Sequence, residues 1–255
     1  MTLNWTKALI SGFSTLMLAA ASGLCYADEV KLIAANAVKE SVTEVIAAFE
    51  KASGHKVHAT WSGTDAIAKR VGSGEIFDVV IIAGPNIDKL AQEGKIVQGS
   101  RTDFAKSGVG VAVRSGLAKP DISSSDALKR ALLGARSVAY SSGPSGAYVV
   151  DLLKKLGVSE QIKDRVKQPA SGVPVGELIA KGEADIGFQQ VSELMNFKGI
   201  DFLGPLPAEI QNFTIYSAGL HAAAPYREAA KAFMKLLTSA ESAPGIRKSG
   251  MDPAN

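Results

Sequence analysis

Three short segments of this chain share one design, in which an apolar, strand-like run ends in small or hydroxyl-bearing residues and an amphipathic helical pattern follows. They are residues 34–40 (AANAVKE), 61–67 (WSGTDAI) and 140–148 (YSSGPSGAY). Such a junction directs free backbone N–H groups, hydroxyls and the positive end of a helix dipole toward one place. Ser and Thr are also common helix N-caps, so one junction alone predicts little. Three together predict a small-anion site assembled from several loops.

Strand-like and helical patterns alternate along the rest of the chain, and glycines such as Gly54 and Gly157 mark where helical segments end. The pattern predicts strands over residues 30–34, 56–61, 77–83, 108–114, 137–140, 185–189, 201–203 and 212–218, and helices over residues 39–53, 65–71, 87–93, 125–133, 146–156, 175–181, 191–195 and 226–237. Such alternation is typical of α/β folds whose parallel sheets are covered on both faces.

Two segments are expected to cross between domains. Residues 108–113 leave the first run of strands and helices, and residues 212–218 return to it late in the chain. We therefore predict a first domain of residues 28–110 plus 213–255 and a second domain of residues 111–212. Because ligands of open α/β sheets bind at the carboxyl ends of strands, and often between domains, all three junctions are expected to face one cleft.

Residues 1–27 have the pattern of a cleavable secretory signal peptide. Lys7 is their only charged residue, an apolar core follows, and the small residues before the cleavage point fit cleavage after Ala27. Ser, Thr and Gly interrupt the apolar stretch, which disfavours the alternative of a membrane anchor. A lipoprotein attached at Cys25 is also disfavoured, because Leu24 stands where a small residue is expected. The mature protein is therefore expected in the periplasm.

The composition of the mature chain excludes several kinds of site and partner. Cys25 is the only cysteine, so no disulfide, thiolate metal site or cysteine nucleophile is expected after cleavage. His55, His58 and His221 do not form a metal set, since an offset of three residues places the first two on opposite faces of a strand. Charges nearly balance, and no later apolar run approaches the ~20 residues of a spanning helix. We expect a monomer without a cofactor, nucleic-acid partner or membrane insertion.

Several stretches have the order and spacing of one known family. They are residues 32–35 (LIAA), 62–64 (SGT), 68–70 (AKR), 77–83 (FDVVIIA), 146–148 (GAY) and 182–188 (GEADIGF). On these, the chain resembles the periplasmic molybdate-binding proteins, which are the substrate-binding components of an ABC importer, over nearly its whole mature length. The resemblance implies an α/β, two-domain periplasmic solute-binding fold with two crossover segments and a ligand cleft between the domains. It also implies a small anionic ligand and an ABC permease as partner.

The resemblance further implies which positions meet the ligand. Family members hold a tetrahedral oxyanion with serines in the first two loops, backbone N–H groups in the third and fourth, and often a tyrosine after a late strand. The matching positions here are Asn36 and Ala37 in the first loop, Ser62, Gly63 and Thr64 in the second, Ser142 and Ser145 in the third, Gly172 in the fourth, and Gln190 at the tyrosine position. Gln189 and Gln190 alternate on a strand, so only Gln190 is expected to face the cleft.

This chain departs from the family pattern in its ligand positions. Ala37 replaces a serine, Gln190 replaces a tyrosine, and Asn36 adds an amide. The predicted site therefore changes from donors only to mixed donors and acceptors, which suits a ligand with carboxylates and hydroxyls better than a bare oxyanion. A divergent branch of the family includes aconitate isomerase, a periplasmic enzyme that interconverts cis- and trans-aconitate, and these departures are of the kind that such a branch would show.

The sequence supports two hypotheses from different classes. The leading one is a periplasmic binding protein that captures a molybdate-like oxyanion or an organic carboxylate for an ABC importer. The alternative is an aconitate isomerase, which needs a general acid or base in the cleft. No buried carboxylate or histidine is evident for that role, so a serine, tyrosine or lysine would have to serve. Loss of conversion on substitution of Ser145, Tyr148 or Arg70 would favour this alternative. The catalytic residues stay unassigned, and whether the protein is an enzyme stays open.

Overall fold

The structure is a computed structural model that describes residues 27–254 together with Met1, so the predicted signal peptide lies almost entirely outside the described residues. The strands are β1 (Glu29–Ala35), β2 (Lys56–Ser62), β3 (Val79–Ala83), β4 (Thr102–Arg114), β5 (Val138–Tyr140), β6 (Val166–Lys167), β7 (Ile186–Gln190), β8 (Ile200–Pro205), β9 (Phe213–Leu220) and β10 (Asp252–Pro253). The helices are α1 (Lys39–Ser53), α2 (Thr64–Gly72), α3 (Gly84–Gln92), α4 (Ser125–Gly134), α5 (Pro144–Lys155), α6 (Ser159–Ile162), α7 (Val175–Ala180), α8 (Val191–Leu194), α9 (Arg227–Leu237) and α10 (Ala243–Lys248).

The strands follow the order β2-β1-β3-β9-β4-β7-β5-β6 within the described chain, and β8 and β10 also pair with β4. β1 is parallel to β2 and β3, and β5 is parallel to β6 and β7. β9 is antiparallel to β3 and to the first half of β4, while the second half of β4 is antiparallel to β7 and β8. The expectation of parallel sheets is therefore right for the outer strands of each domain and wrong for the two crossing strands.

The crossing strands separate two pairs of hydrophobic clusters, one pair in each domain. The first pair takes its buried residues from positions 30–105 and 216–251, and the second from positions 109–210. The predicted α/β, two-domain fold with two crossover segments and a cleft between the domains is confirmed, and the crossings lie in β4 and β9. The numerical domain bounds stay a prediction.

Local sequence explains the helix that follows the first junction. α1 buries Val42, Val45 and Phe49 at helical spacing. It ends at Gly54, whose φ of 75° is the left-handed conformation that glycine adopts without strain. The Gly54 N–H donates to the carbonyl of Glu50 at 3.0 Å and so satisfies one of the last carbonyls of the helix.

The helix that follows the third junction, α5, begins at Pro144 rather than at the predicted residue 146. Proline suits the first turn of a helix because its φ is already helical and the missing N–H has no partner there anyway. Gly143 precedes it as an extended N-cap residue. The proline therefore extends the helix to the edge of the loop.

Four short elements, α6, α10, β6 and β10, were not predicted because none is long enough to show a periodic pattern. β4 begins at Thr102 rather than at residue 108. Its first half is fixed by pairing with β9, which lies far away in the sequence. Strand bounds that depend on such a partner are not encoded locally.

We predict that Gly146→Ala destabilises the protein. A Cβ atom at Gly146 would overlap the backbone carbonyl of Ser141, which the surrounding loop cannot move away without distortion. The expected loss in the free energy of unfolding is about 1–3 kcal/mol or more, measured by urea denaturation. Gly143→Ala in the same loop is the control, since the nearest atom to its Cβ would lie at 4.0 Å. Equal stability of the two variants would contradict this account of the loop.

Candidate functional site

One cavity lies between the two domains and is lined by loops from both. The first domain contributes Ala35, Asn36, Ala37, Gly63, Thr64 and, from β9, Tyr216, and the second contributes residues 141–145, residues 171–173, Gln189, Gln190 and Glu193. All three strand–helix junctions predicted from the sequence meet here. The cavity is the place in the described structure where loops that follow β1, β2 and β5 converge.

Eight of the nine predicted site residues line this cavity, namely Asn36, Ala37, Gly63, Thr64, Ser142, Ser145, Gly172 and Gln190. Ser62 does not line it. Its hydroxyl faces the backbone of Gly172, where a Cβ atom would lie 3.3 Å away. That any of these residues contacts a ligand stays a prediction.

Backbone N–H groups and hydroxyls, rather than cationic side chains, face this cavity. α2 begins at Thr64, α5 begins at Pro144, and a 3₁₀ turn that leads into α1 begins at Asn36. Three helical N-termini thus end at the cavity with free N–H groups and positive dipole ends. No Lys or Arg lines it within the described residues. An anion held here would be bound by hydrogen bonds and dipoles, as in other helix N-terminal anion sites.

The cleft is closed in this structure. The Asn36 amide Nδ2 donates to the carbonyl of Gly172 at 3.0 Å, and the Ala66 N–H donates to the Ser171 hydroxyl at 3.3 Å, so both bonds join the two domains. Asn196 Nδ2 also donates across the cleft to Glu40 at 3.0 Å. The enclosed space is ≈ 40 Å³, room for about three water molecules. A larger ligand can enter only when these contacts open.

Glu193 is the one charged residue that lines the cavity within the described chain. It lies in α8 and is half-buried at the wall of the cavity. Burial raises the pKa of its carboxyl from an ordinary 4.5 to about 7, against a smaller lowering by the amide of Gln189. The sequence showed no obvious carboxylate for the cleft, and the structure places Glu193 there.

Gln189 holds the carboxylate of Glu193 in place. Its Nε2 donates to Glu193 Oε1 at 2.8 Å, and its Oε1 accepts from the Val175 N–H at 2.8 Å. The bond from Val175 fixes which end of the amide is oxygen, so the nitrogen must face Glu193. The carboxylate thus has a fixed position but no positive partner among residues 27–254.

Gln190 also lines the cavity, so the expectation that only one of the two glutamines faces the cleft is wrong. β7 ends at Gln190, where the chain turns into α8, and strict alternation ends with the strand. The Gln190 amide nitrogen donates to the carbonyls of Ser107 at 3.0 Å and Gly108 at 3.3 Å, and its oxygen accepts from the Thr214 hydroxyl at 2.8 Å. Its amide therefore joins β7 to both crossing strands.

Tyr216 lies on β9 and is 2 % exposed, and it lines the same cavity as Glu193. Burial, together with the negative charge of Glu193, raises the pKa of its hydroxyl well above 10. The sequence analysis did not select Tyr216, because an apolar–aromatic strand such as residues 213–220 normally uses its tyrosines for packing. Only the position of β9 beside the cleft distinguishes Tyr216 from a tyrosine that serves packing alone.

The other residues considered for catalysis differ in position. Ser145 lines the cavity, and its hydroxyl lies 2.9 Å from that of Ser141. Arg70 pairs with Glu75 and lies over the ring of Phe77, and Tyr148 donates to a backbone carbonyl at 2.7 Å; neither lines the cavity.

Among the described residues no cluster of three or more His, Cys, Asp or Glu could hold a metal ion. No helix of residues 27–254 has the length and apolarity needed to cross a membrane.

Comparison with known proteins gives a consistent set of relatives. Residues 30–252 match the family described as bacterial extracellular solute-binding protein. Aconitate isomerase from a Pseudomonas species is 38% identical over 230 residues, which cover 87% of each chain. Molybdate-binding protein ModA from Azotobacter vinelandii is 31% identical over 189 residues, which cover 71% of this chain and 73% of ModA.

Solved structures show the same fold. The periplasmic molybdate-binding protein of Azotobacter vinelandii superposes with a TM-score of 0.75 at 20% identity, covering 87% of this chain and 98% of that one. The sulfate-binding protein SubI of Mycobacterium tuberculosis superposes with a TM-score of 0.73 at 19% identity, covering 89% of this chain and 88% of that one. At this level of identity the likeness concerns the fold alone.

We predict that Glu193→Gln stabilises the ligand-free protein in a pH-dependent way. The carboxyl binds its proton more tightly in the folded chain, with a pKa of about 7, than in the unfolded chain, near 4.5. Its contribution to stability is therefore fully present below pH 4.5 and is lost as the pH rises through 7. The variant lacks this loss, so its free energy of unfolding should exceed that of the wild type by on the order of 2–3 kcal/mol at pH 8, and by little at pH 5.

The measurement is denaturant unfolding at both pH values. Glu241→Gln is the control, because Glu241 is exposed and has no salt-bridge partner among the described residues. A Glu193→Gln variant with no gain at pH 8 would contradict burial of the charged carboxylate.

Proposed function

The chain belongs to the bacterial extracellular solute-binding protein family, which serves ABC importers, and we propose that its cleft binds aconitate and interconverts the cis and trans isomers. The observation that carries the proposal is Glu193, a carboxylate that faces the ligand cavity, has no positive partner in the described chain and has a pKa of about 7. A general base works best when its pKa lies near the operating pH. The 38% identity to a relative named aconitate isomerase supports the same activity.

The reaction is an allylic proton shift. Aconitate has a methylene group next to its double bond, and each end of this three-carbon unit carries a carboxylate. The Glu193 carboxylate takes a methylene proton, and the electron pair of the broken C–H bond forms a new double bond to the central carbon. The electron pair of the original double bond moves to the former vinylic carbon at the other end of the unit, where it takes up a proton. The product is again aconitate, and the conformation about the new double bond determines whether it is cis or trans.

The cavity has groups for each part of this ligand. Carboxylates are expected at the helical N-termini that begin at Asn36, Thr64 and Pro144, where free N–H groups and hydroxyls lie. The reacting carbon then lies beside Glu193, which Gln189 holds in position at 2.8 Å. Closure of the cleft through the Asn36–Gly172 bond excludes water from the carbanion.

Glu193 also argues against a bare tetrahedral oxyanion as the ligand. An unpaired carboxylate beside a dianion is repulsive unless it takes up a proton. An oxyanion-binding protein would have to protonate this side chain before it could donate a hydrogen bond to the ligand. In an isomerase the same side chain removes the methylene proton, so a carboxylate that weakens ligand binding is needed for the reaction.

A second candidate is capture of a small anion for an ABC importer without chemistry. It is favoured by the three helical N-termini and the hydroxyls that line the cavity, which can hold a small anion without any chemistry. It also agrees with the family and with the relative named molybdate-binding protein. Under either candidate, we propose that the protein acts in the periplasm as a monomer after removal of residues 1–27.

The test uses the mature protein, residues 28–255, incubated with cis-aconitate and separately with trans-aconitate, and followed by chromatography. An isomerase reaches the same ratio from both sides. The rate should rise with pH through about 7, because the base must be deprotonated to take the proton. Glu193→Gln should lower kcat by about 100-fold or more, while Glu241→Gln keeps the wild-type rate.

Thermal shifts separate the two candidates when turnover is absent. A ligand that binds the folded protein raises the melting temperature by mass action. A shift with molybdate or sulfate and none with aconitate would support the second candidate. A shift with aconitate but no conversion of either isomer would indicate a carboxylate-binding protein and would also overturn the isomerase proposal.

A further inference from the structure

The isomerisation needs two proton transfers at carbons two positions apart, and this inference rests on the proposed function. Glu193 accepts a hydrogen bond from Gln189, whose own amide is fixed by the Val175 N–H. A carboxylate held in this way stays beside one end of the allylic unit. Return of the proton at the other end therefore calls for a second group on the opposite wall.

Tyr216 lines the cavity from the first domain. It belongs to β9, where it pairs with Ala83 of β3 and Ala105 of β4, and so it is part of the first domain's sheet. Glu193 reaches the cavity from α8, which follows β7 of the second domain. The two side chains thus reach the same cavity from different domains, and each can meet a ligand bound between the domains.

The Tyr216 hydroxyl has no hydrogen bond to any other residue that the structure describes, although the side chain is 2 % exposed. Because the side chain lines the cavity, a ligand atom there can accept a hydrogen bond from this hydroxyl. The hydroxyls of Ser141 and Ser145 lie 2.9 Å apart and can satisfy one another. The hydroxyls of Thr64 and Ser142 also line the cavity, and Tyr216 differs from them in lying close enough to Glu193 to sense its charge.

We propose that Tyr216 is the catalytic acid that returns the proton to the far end of the allylic unit. Its O–H bond breaks, a C–H bond forms at the former vinylic carbon, and a phenolate remains. The phenolate then takes the proton that Glu193 removed, so both side chains return to their starting states and no other reactant is needed. In the reverse direction the same groups exchange roles.

The electrostatics of the pair agree with this assignment. The pKa of the Tyr216 hydroxyl lies well above 10, because the side chain is buried beside the carboxylate of Glu193. The hydroxyl therefore stays protonated at neutral pH until a much stronger base, the carbanion, forms beside it. The phenolate is correspondingly short-lived, since Glu193 holds a proton that it gives up far more readily.

The test compares Tyr216→Phe with the wild type in three measurements on aconitate. Tyr216→Phe should lower kcat for isomerisation by about 100-fold while the thermal shift with aconitate persists. In D₂O, the variant should still exchange the methylene hydrogens of unconverted substrate, because Glu193 still removes them. A single turnover of the wild type on methylene-deuterated aconitate in H₂O should carry no deuterium to the far carbon. Tyr226→Phe, at an exposed tyrosine outside the cavity, is the control and should match the wild type.

Each outcome separates this inference from the proposed function. A wild type that neither isomerises nor exchanges aconitate removes the proposed function itself. A Tyr216→Phe variant with the wild-type kcat, or deuterium carried from one carbon to the other by the wild type, leaves Glu193 as the sole base and overturns the role of Tyr216. A variant that raises KM but keeps kcat assigns Tyr216 to binding and overturns it too.

Discussion

The pairing of β4 with β9 is the constraint on which the whole cleft depends. β4 runs along β9 as far as Gly108 and then continues along β7 and β8 in the second domain. Where β4 passes from β9 to β7, the Gln190 amide forms hydrogen bonds with Ser107, Gly108 and Thr214. Because the two crossings lie side by side, the main motion left to the domains is the opening and closing of the cleft. The same strands carry Tyr216 and adjoin α8. The strands about which the cleft opens and closes therefore also position the residues proposed for the chemistry.

The electrostatics of the cleft combine two opposite tendencies. Helical N-termini supply partial positive charge without a Lys or Arg, which suits an anion that must later be released. Glu193 supplies the opposite charge with no partner in the described chain; burial raises its pKa, and its charged form repels an anion. A fold that only binds an anion does not need an ionised carboxylate there. A fold that also moves protons needs one, and burial gives it a pKa near neutrality.

The convergence of the three junctions was predictable because each junction is a local pattern. A strand end, a small or hydroxyl residue and a helix start stand within a few residues of one another, as at Asn36, Thr64 and Ser145. The carboxyl ends of neighbouring strands meet at one edge, so local patterns were enough to bring the loops together. Glu193 gave no such signal. An acidic residue in the first turn of a helix is usually solvated, and nothing in the sequence shows that α8 packs against the other domain.

The sequence by itself determined the alternation of strands and helices, the two-domain family fold and the loops that form the cleft, because periodicity, glycine and proline positions and helix starts act over a few residues. Only the tertiary structure decided which side chains carry charge into the cavity. It brought Glu193 and Tyr216, which come from separate domains, to the same enclosed space, and it used the amide of Gln190 to join the crossing strands. Burial, and hence the pKa of a carboxyl, depends on atoms that lie far apart along the chain, so no local pattern can specify it.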